Sequence, residues 1–226
     1  MNLMNGYGKP ITIQSGKTIN TEAYENNLRP VFVDDFKVDN GNMVFTDGCS
    51  VSEAGLSCVG YCRAVYNTSA TVDYFKVIAR FVYSGGVKLG LFLGRTLVCV
   101  DTANKTMANY NSYAQADVMP NTATETENIP FDFTAGNEYE LTAEKRSYET
   151  YIYTLRDSVT GESVSITTAN TYAGFADFMF GFTAFSGAVT VTKMAYYAPL
   201  FGHAKVLIVG DSITAGTGVM DDCTQR

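Results

Sequence analysis

From residue 30 onward the apolar positions come in short runs cut by turn dipeptides. Val31-Phe32-Val33 leads into Asp34-Asp35-Phe36, and Asn40-Gly41, Met43-Val44-Phe45 and Asp47-Gly48 follow. Short strands separated by turns read this way. Further strands are predicted at 64–66, 72–83, 87–93, 96–101, 139–146, 150–157, 162–168, 178–185 and 189–197. Within 139–145, Tyr139, Leu141 and Ala143 share one face while Glu140, Thr142 and Glu144 share the other. That period of two marks a sheet with one face buried and one wet. Ser84-Gly85-Gly86, Asp157 to Gly161 and Ser186-Gly187 each predict a hairpin between the strands they join. No amphipathic helix is predicted before residue 210. Strands spaced at roughly 8–15 residues and joined by polar turns predict a mainly β chain, an antiparallel β-sandwich.

Three regions follow from changes of texture. Residues 1–30 read as a polar N-terminal arm with one short strand at Ile11-Thr12-Ile13, 31–200 as the sandwich, and 201–226 as a linker and the start of something else. Asp101 to Asn128 breaks the strand rhythm: it is rich in Ala, Asn, Thr and Tyr, and is expected to be one long loop. Loops of that length are functional or disordered. Asn104, Asn109, Tyr110, Asn111, Tyr113, Gln115 and Asp117 are residue types that suit a sugar. Aromatic faces stack on pyranose rings, and amides and carboxylates bond hydroxyls. Tyr110, Asn111 and Tyr113 are the candidate binding residues; tyrosines packed on the sandwich flank are the plainer alternative.

Composition narrows the partners. An apolar share of 46% is ample for a core, and 15 Tyr and 14 Phe without Trp favour sheet. A net charge of −7 and a pI near 4.7 argue against nucleic acid or an anionic membrane as partner. Cys49, Cys58, Cys62, Cys99 and Cys223 make an odd number. Cys58 and Cys62 form a C-x3-C pair with no second pair and no histidine nearby, so buried thiols are expected rather than zinc. Asp34, Asp35, Asp39 and Asp47 could be taken for calcium ligands, but Asp-Asp and Asp-Gly are ordinary turn chemistry and no EF-hand spacing is present. No metal and no cofactor is expected. Glu138, Glu140 and Glu144 could be glycosidase acids, yet their alternation along one strand beside Lys145 and Arg146 reads as a charged solvent face.

The last residues carry the sharpest motif. Val206-Leu207-Ile208-Val209 is an apolar strand running into Gly210-Asp211-Ser212-Ile213, with Thr214-x-Gly216-x-Gly218 behind it. A buried strand that delivers Asp-Ser to its carboxyl end puts a hydroxyl where open α/β sheets place catalytic groups. The block resembles the opening of the GDSL, or SGNH, family of serine esterases. That resemblance implies Ser212 as nucleophile and oxyanion N–H donor within the Gly210-Asp211-Ser212 motif. It also implies a base in an Asp-x-x-His block that this chain does not contain. The sole histidine, His203, precedes the strand and reads as a linker residue.

Residues 33–197 are also similar to concanavalin A-like jelly rolls, through an early Asp34-Asp35-Phe36 and a late Phe180-Gly181-Phe182-x-x-Phe185 followed by Val189-Thr190-Val191. Together these resemblances imply a jelly-roll accessory domain ahead of a truncated α/β hydrolase domain. The expected partners are an acylated carbohydrate and the missing C-terminal hydrolase domain. The expected function is the binding portion of a serine esterase, inactive alone. The alternative is a non-catalytic carbohydrate-binding or adhesion module, as on a phage tail or cell-surface appendage. No signal segment is visible, and the fold type favours an extracellular, cell-surface or virion setting.

Overall fold

The computed structural model describes residues 28–67, 75–94, 96–111, 122–145, 150–169 and 179–199. The expected N-terminal arm up to residue 27 and the whole Gly210-Asp211-Ser212 block lie outside them.

In chain order the strands are β1 (Leu28–Asp34), β2 (Val44–Phe45), β3 (Cys49–Ser52), β4 (Gly55–Val59), β5 (Cys62–Asn67), β6 (Phe75–Tyr83), β7 (Lys88–Leu93) and β8 (Thr96–Asp101). They continue with β9 (Thr106–Tyr110), β10 (Glu125–Asn128), β11 (Glu138–Lys145), β12 (Thr150–Asp157), β13 (Ser163–Ala169), β14 (Met179–Ser186) and β15 (Ala188–Pro199). One sheet has eight strands, in the order β13-β12-β11-β6-β15-β4-β3, with β1 also on β15. The facing sheet has seven, in the order β10-β9-β8-β7-β14-β5-β2. Every pairing is antiparallel. The chain is an antiparallel β-sandwich, as its alternation predicts.

β15 is the spine of the larger sheet. It pairs with β6 along one side and, on the other, with β4 over its first residues and β1 over its last. Pro30 has no N–H for a ladder, and the β1 register slips between Pro30 and Phe32, which is where a proline is tolerated. The core between the sheets is filled by alternate residues. Phe81, Tyr139, Leu141, Ala143, Leu155 and Val191 come from the larger sheet and Leu89, Leu91, Val98, Phe180 and Phe182 from the smaller, all fully buried. Each such large side chain contributes about 1.5–3 kcal/mol on burial.

Two of the three expected hairpins are something else. The turn 158–162 does join the paired strands β12 and β13. Ser84-Gly85-Gly86, however, carries the chain from β6 in one sheet to β7 in the other, and Gly187 carries it from β14 to β15 in the same manner. Turn chemistry specifies a reversal of direction, but not whether the next strand pairs with its predecessor or crosses the core. The two crossings lie against one another: a Cβ on Gly187 would stand 2.7 Å from the Gly86 carbonyl oxygen. Gly187 has φ +78°, and Gly60 of the β4–β5 crossing donates its N–H to the Gly187 carbonyl at 2.8 Å.

The stretch expected as one loop, 101–128, contains β9 and β10. They extend the smaller sheet and bring its edge against β13 of the larger one. Their polar sequences, Thr-Met-Ala-Asn-Tyr and Glu-Thr-Glu-Asn, hid them from a hydrophobicity pattern. The pair β3–β4, also not anticipated, closes the opposite side over β5. The sandwich therefore has two lateral seams, one polar and one lined with thiols.

Candidate functional site at the polar seam

Asn67, Leu93, Tyr110 and Met179 finish the smaller sheet at one end of the sandwich, and Phe75, Lys145, Thr150 and Ala169 finish the larger sheet there. Loop-bearing ends of rigid sandwiches are where binding residues gather. β9 runs out at this end beside β13, and its last residues set the geometry.

Asn109 points between the sheets and is fully buried. Its amide donates to Thr168 Oγ1 on β13 at 3.3 Å and to Asn111 Oδ1 at 3.1 Å. The second bond ties the Asn111 Oδ1 to the buried Asn109 amide. Glu125 stands directly opposite Asn109 on β10. The buried Asn109 Oδ1, Glu125 Oε2 and Tyr153 hydroxyl have no hydrogen-bond partner among the described residues. Burial, with the neighbouring Tyr151 and Glu125, pushes the Tyr153 hydroxyl well above its ordinary range. A buried polar atom left without a partner costs about 1–3 kcal/mol. Two acceptors and a hydroxyl at one seam thus form a place that a water or a ligand hydroxyl would stabilise.

Tyr110 and Asn111 are brought to the same strand tip but to opposite faces. Asn111 lies on the inner side with Asn109. Tyr110 faces outward, half-buried against Val65, Phe92, Leu97 and Cys99. Those residues form a row across the outside of the smaller sheet, in which Tyr110, Leu97, Phe92, Gly181, Val65 and Val44 are successive cross-strand neighbours. Phe92 and Leu97 are fully buried although they point away from the core. Burial, with Cys99 close by, raises the Tyr110 hydroxyl above its usual range. Tyr113, the third candidate, lies outside the described residues.

The carboxylates weighed in the sequence go elsewhere. Glu140 pairs with Arg80 at 2.8 Å, Glu144 with Lys76 at 3.0 Å, and Glu138 accepts from the Thr192 hydroxyl at 2.6 Å. They form a cross-strand charge ladder on the solvent face of the larger sheet. Asp34 accepts from the Phe36 N–H and the Asn40 amide, Asp35 from the Lys37 N–H and Asp39 from the Gly41 N–H. These are turn-closing bonds. Among the described residues no three carboxylates converge on one point.

Sequence reasoning missed Asn109 as the residue that orients Asn111, and missed Glu125, Tyr153 and Thr168 altogether. The i, i+2 spacing of Asn109 and Asn111 was the available signal, once 106–110 is known to be a strand.

No protein-family model matches the chain, and no curated protein sequence does. Solved structures do match it in shape. The VIP36 exoplasmic/lumenal domain in its Ca2+-bound form aligns with a TM-score of 0.60 at 10% identity, over 84% of this chain and 96% of that one. Arcelin-5, a lectin-like defense protein from Phaseolus vulgaris, aligns at 0.58 and 12% identity, over 76% and 98%. Lectin II from Ulex europaeus aligns at 0.55 and 18% identity, over 75% and 98%. At these identities the likeness establishes the fold, a concanavalin A-like sandwich shared over nearly the whole length of each of those chains.

Proposed function

We propose that the sandwich is a non-catalytic carbohydrate-binding module whose sugar site is the mouth of the polar seam. The observation that carries this reading is the Asn109–Asn111 amide pair beside buried oxygen atoms that have no partner among the described residues. Sugars present many hydroxyls, each both donor and acceptor, and such a floor pairs with them where an apolar ligand would not. The fold likeness supports it, since a VIP36 structure holds Ca2+ and Man2 and another similar chain is peanut lectin.

The test is a glycan array followed by calorimetry on the best hits. Asn111→Ala should weaken binding by about tenfold, the equivalent of one good polar contact at 1.4 kcal/mol, in protein that remains folded. An array silent for plain and acylated glycans alike, on folded protein, would sink the reading.

A second reading rests on the Val206 to Gly218 motif: the module positions an acylated glycan for an SGNH-type esterase whose nucleophile is Ser212, with Gly210 and Asp211. Fluorophosphonate labelling of Ser212 in a C-terminally extended protein tests it. Absence of the adduct there would make Gly-Asp-Ser an ordinary turn.

A further inference from the structure

The opposite seam holds three thiols. Cys49 on β3 and Cys58 on β4 face each other directly in register. The Val59 N–H bonds the Gly48 carbonyl at 3.0 Å in the next rung, so Cys49 and Cys58 occupy the closer, non-hydrogen-bonded kind of pair. The chain then crosses to the other sheet through Gly60, and Cys62 opens β5 with its side chain turned back into the sandwich. All three Sγ atoms lie within 4.8 Å of one another, with Cys49 and Cys58 Sγ 4.0 Å apart. Cys58 and Cys62 are fully buried, while Cys49 is half-buried and open on one side.

We propose that Cys49, Cys58 and Cys62 form a metal site for a soft, thiophilic ion, zinc(II) or copper(I), held by three thiolates. Metal–sulfur bonds of about 2.3 Å put sulfurs roughly 3.8–4.0 Å apart in tetrahedral or trigonal sites. The Cys49–Cys58 spacing is already at that value, and the third sulfur needs to close by less than an ångström. An all-sulfur set with no imidazole or carboxylate in the group selects soft d10 ions over calcium, magnesium or manganese. Uptake replaces three S–H bonds by three metal–sulfur bonds and releases three protons. The ligands come from both sheets, so an ion would cross-link the sandwich at this seam. Either Cys49 or Cys58 can donate its S–H in their sulfur–sulfur contact.

The experiment uses the full chain with Cys99→Ser and Cys223→Ser, reduced and kept anaerobic. Cobalt(II), as a spectroscopic stand-in for zinc, and copper(I), delivered from a chromophoric chelator, are titrated separately. One ion per chain is expected, with sulfur-to-cobalt charge-transfer absorption in the first arm or withdrawal of copper from the chelator in the second, and a raised melting temperature. Cys49→Ser, the change at the least buried ligand, should weaken binding by about tenfold or more. Cys62→Ala serves as a second variant if the first fails to fold. Folded protein that takes up neither ion, uptake undiminished in both variants, or a Cys49–Cys58 disulfide that resists reductant would each overturn the site.

Discussion

A methyl group at position 181 has nowhere to go. A Cβ built there would collide with the Ala64 carbonyl oxygen on the neighbouring strand and with the Phe92 ring. Gly181→Ala should therefore lower the unfolding free energy by about 1–3 kcal/mol, the usual penalty for overpacking, read as a lower denaturation midpoint. An unchanged midpoint would show that Phe92 swings aside at no cost. Tyr153 makes the opposite case. Its hydroxyl is buried without a partner among the described residues, so Tyr153→Phe should stabilise the sugar-free protein by about 1 kcal/mol in the same assay. A destabilised Tyr153→Phe protein would mean that a bound water already satisfies the hydroxyl. Neither environment was legible in the sequence. Phe92 and Gly181 are 89 positions apart by their numbers, and Tyr153 reads as one more inward residue of a strand.

At the scale of an element, the β8–β9 hairpin shows how a turn fixes its own edge. Asp101 ends β8, and its carboxylate accepts from the Ala103 and Asn104 N–H groups, from the Asn104 amide and from Lys88 Nζ at 2.9 Å. Burial pushes the Asp101 carboxyl up, but the Lys88 ammonium and the Asn104 bonds outweigh it and hold the carboxyl below its usual range. The proton therefore binds the unfolded chain more readily than the folded one. Stability from this group is complete above the unfolded value, near 3.9, and is lost as pH falls through the folded one. An acid titration of the melting temperature should show this loss in the wild type and a smaller one in Asp101→Asn, which would be less stable near neutrality. Coincident curves would mean that Lys88 and Asn104 contribute nothing. The same hairpin explains why β9 and β10 escaped the hydrophobic pattern. Their inner positions include Asn109, which bonds Thr168 across the seam, and Glu125, whose Oε2 is buried there, instead of apolar residues filling a core.

For the whole molecule, protection should follow the sheet order. β6, β15, β14 and β7 have neighbours on both sides, whereas β2, β3, β10 and β13 are edges. Native-state hydrogen exchange should show β10 and β13 opening well before β6 and β15, because edge strands unpair by local fluctuation. Sugar binding at the polar seam should slow exchange in β9, β10 and β13, leaving β3 and β4 unaffected. Protection spread evenly over the sandwich on sugar binding would place the site elsewhere.

What residues near each other in the chain can specify, the sequence determined. The alternation of Tyr139, Leu141 and Ala143 with Glu140 and Glu144 made a half-buried strand, and many such runs joined by turns made an antiparallel sandwich. The bounds of β8 and β12 coincide with their apolar patterns, since Val98 and Val100 in one and Tyr151, Tyr153 and Leu155 in the other enter the core at alternate positions. Tertiary structure decided the rest. A Ser-Gly turn looks alike whether the next strand pairs or crosses, so the two crossings at Gly86 and Gly187 emerged only when both sheets were in place. The C-x3-C spacing of Cys58 and Cys62 gave no hint of Cys49, which reaches them across a hairpin. Asn109 and Thr168 meet only because β9 and β13 close one seam. Local patterns fix the period and direction of a strand, while the site is made by contacts between strands far apart in sequence, which no local pattern encodes.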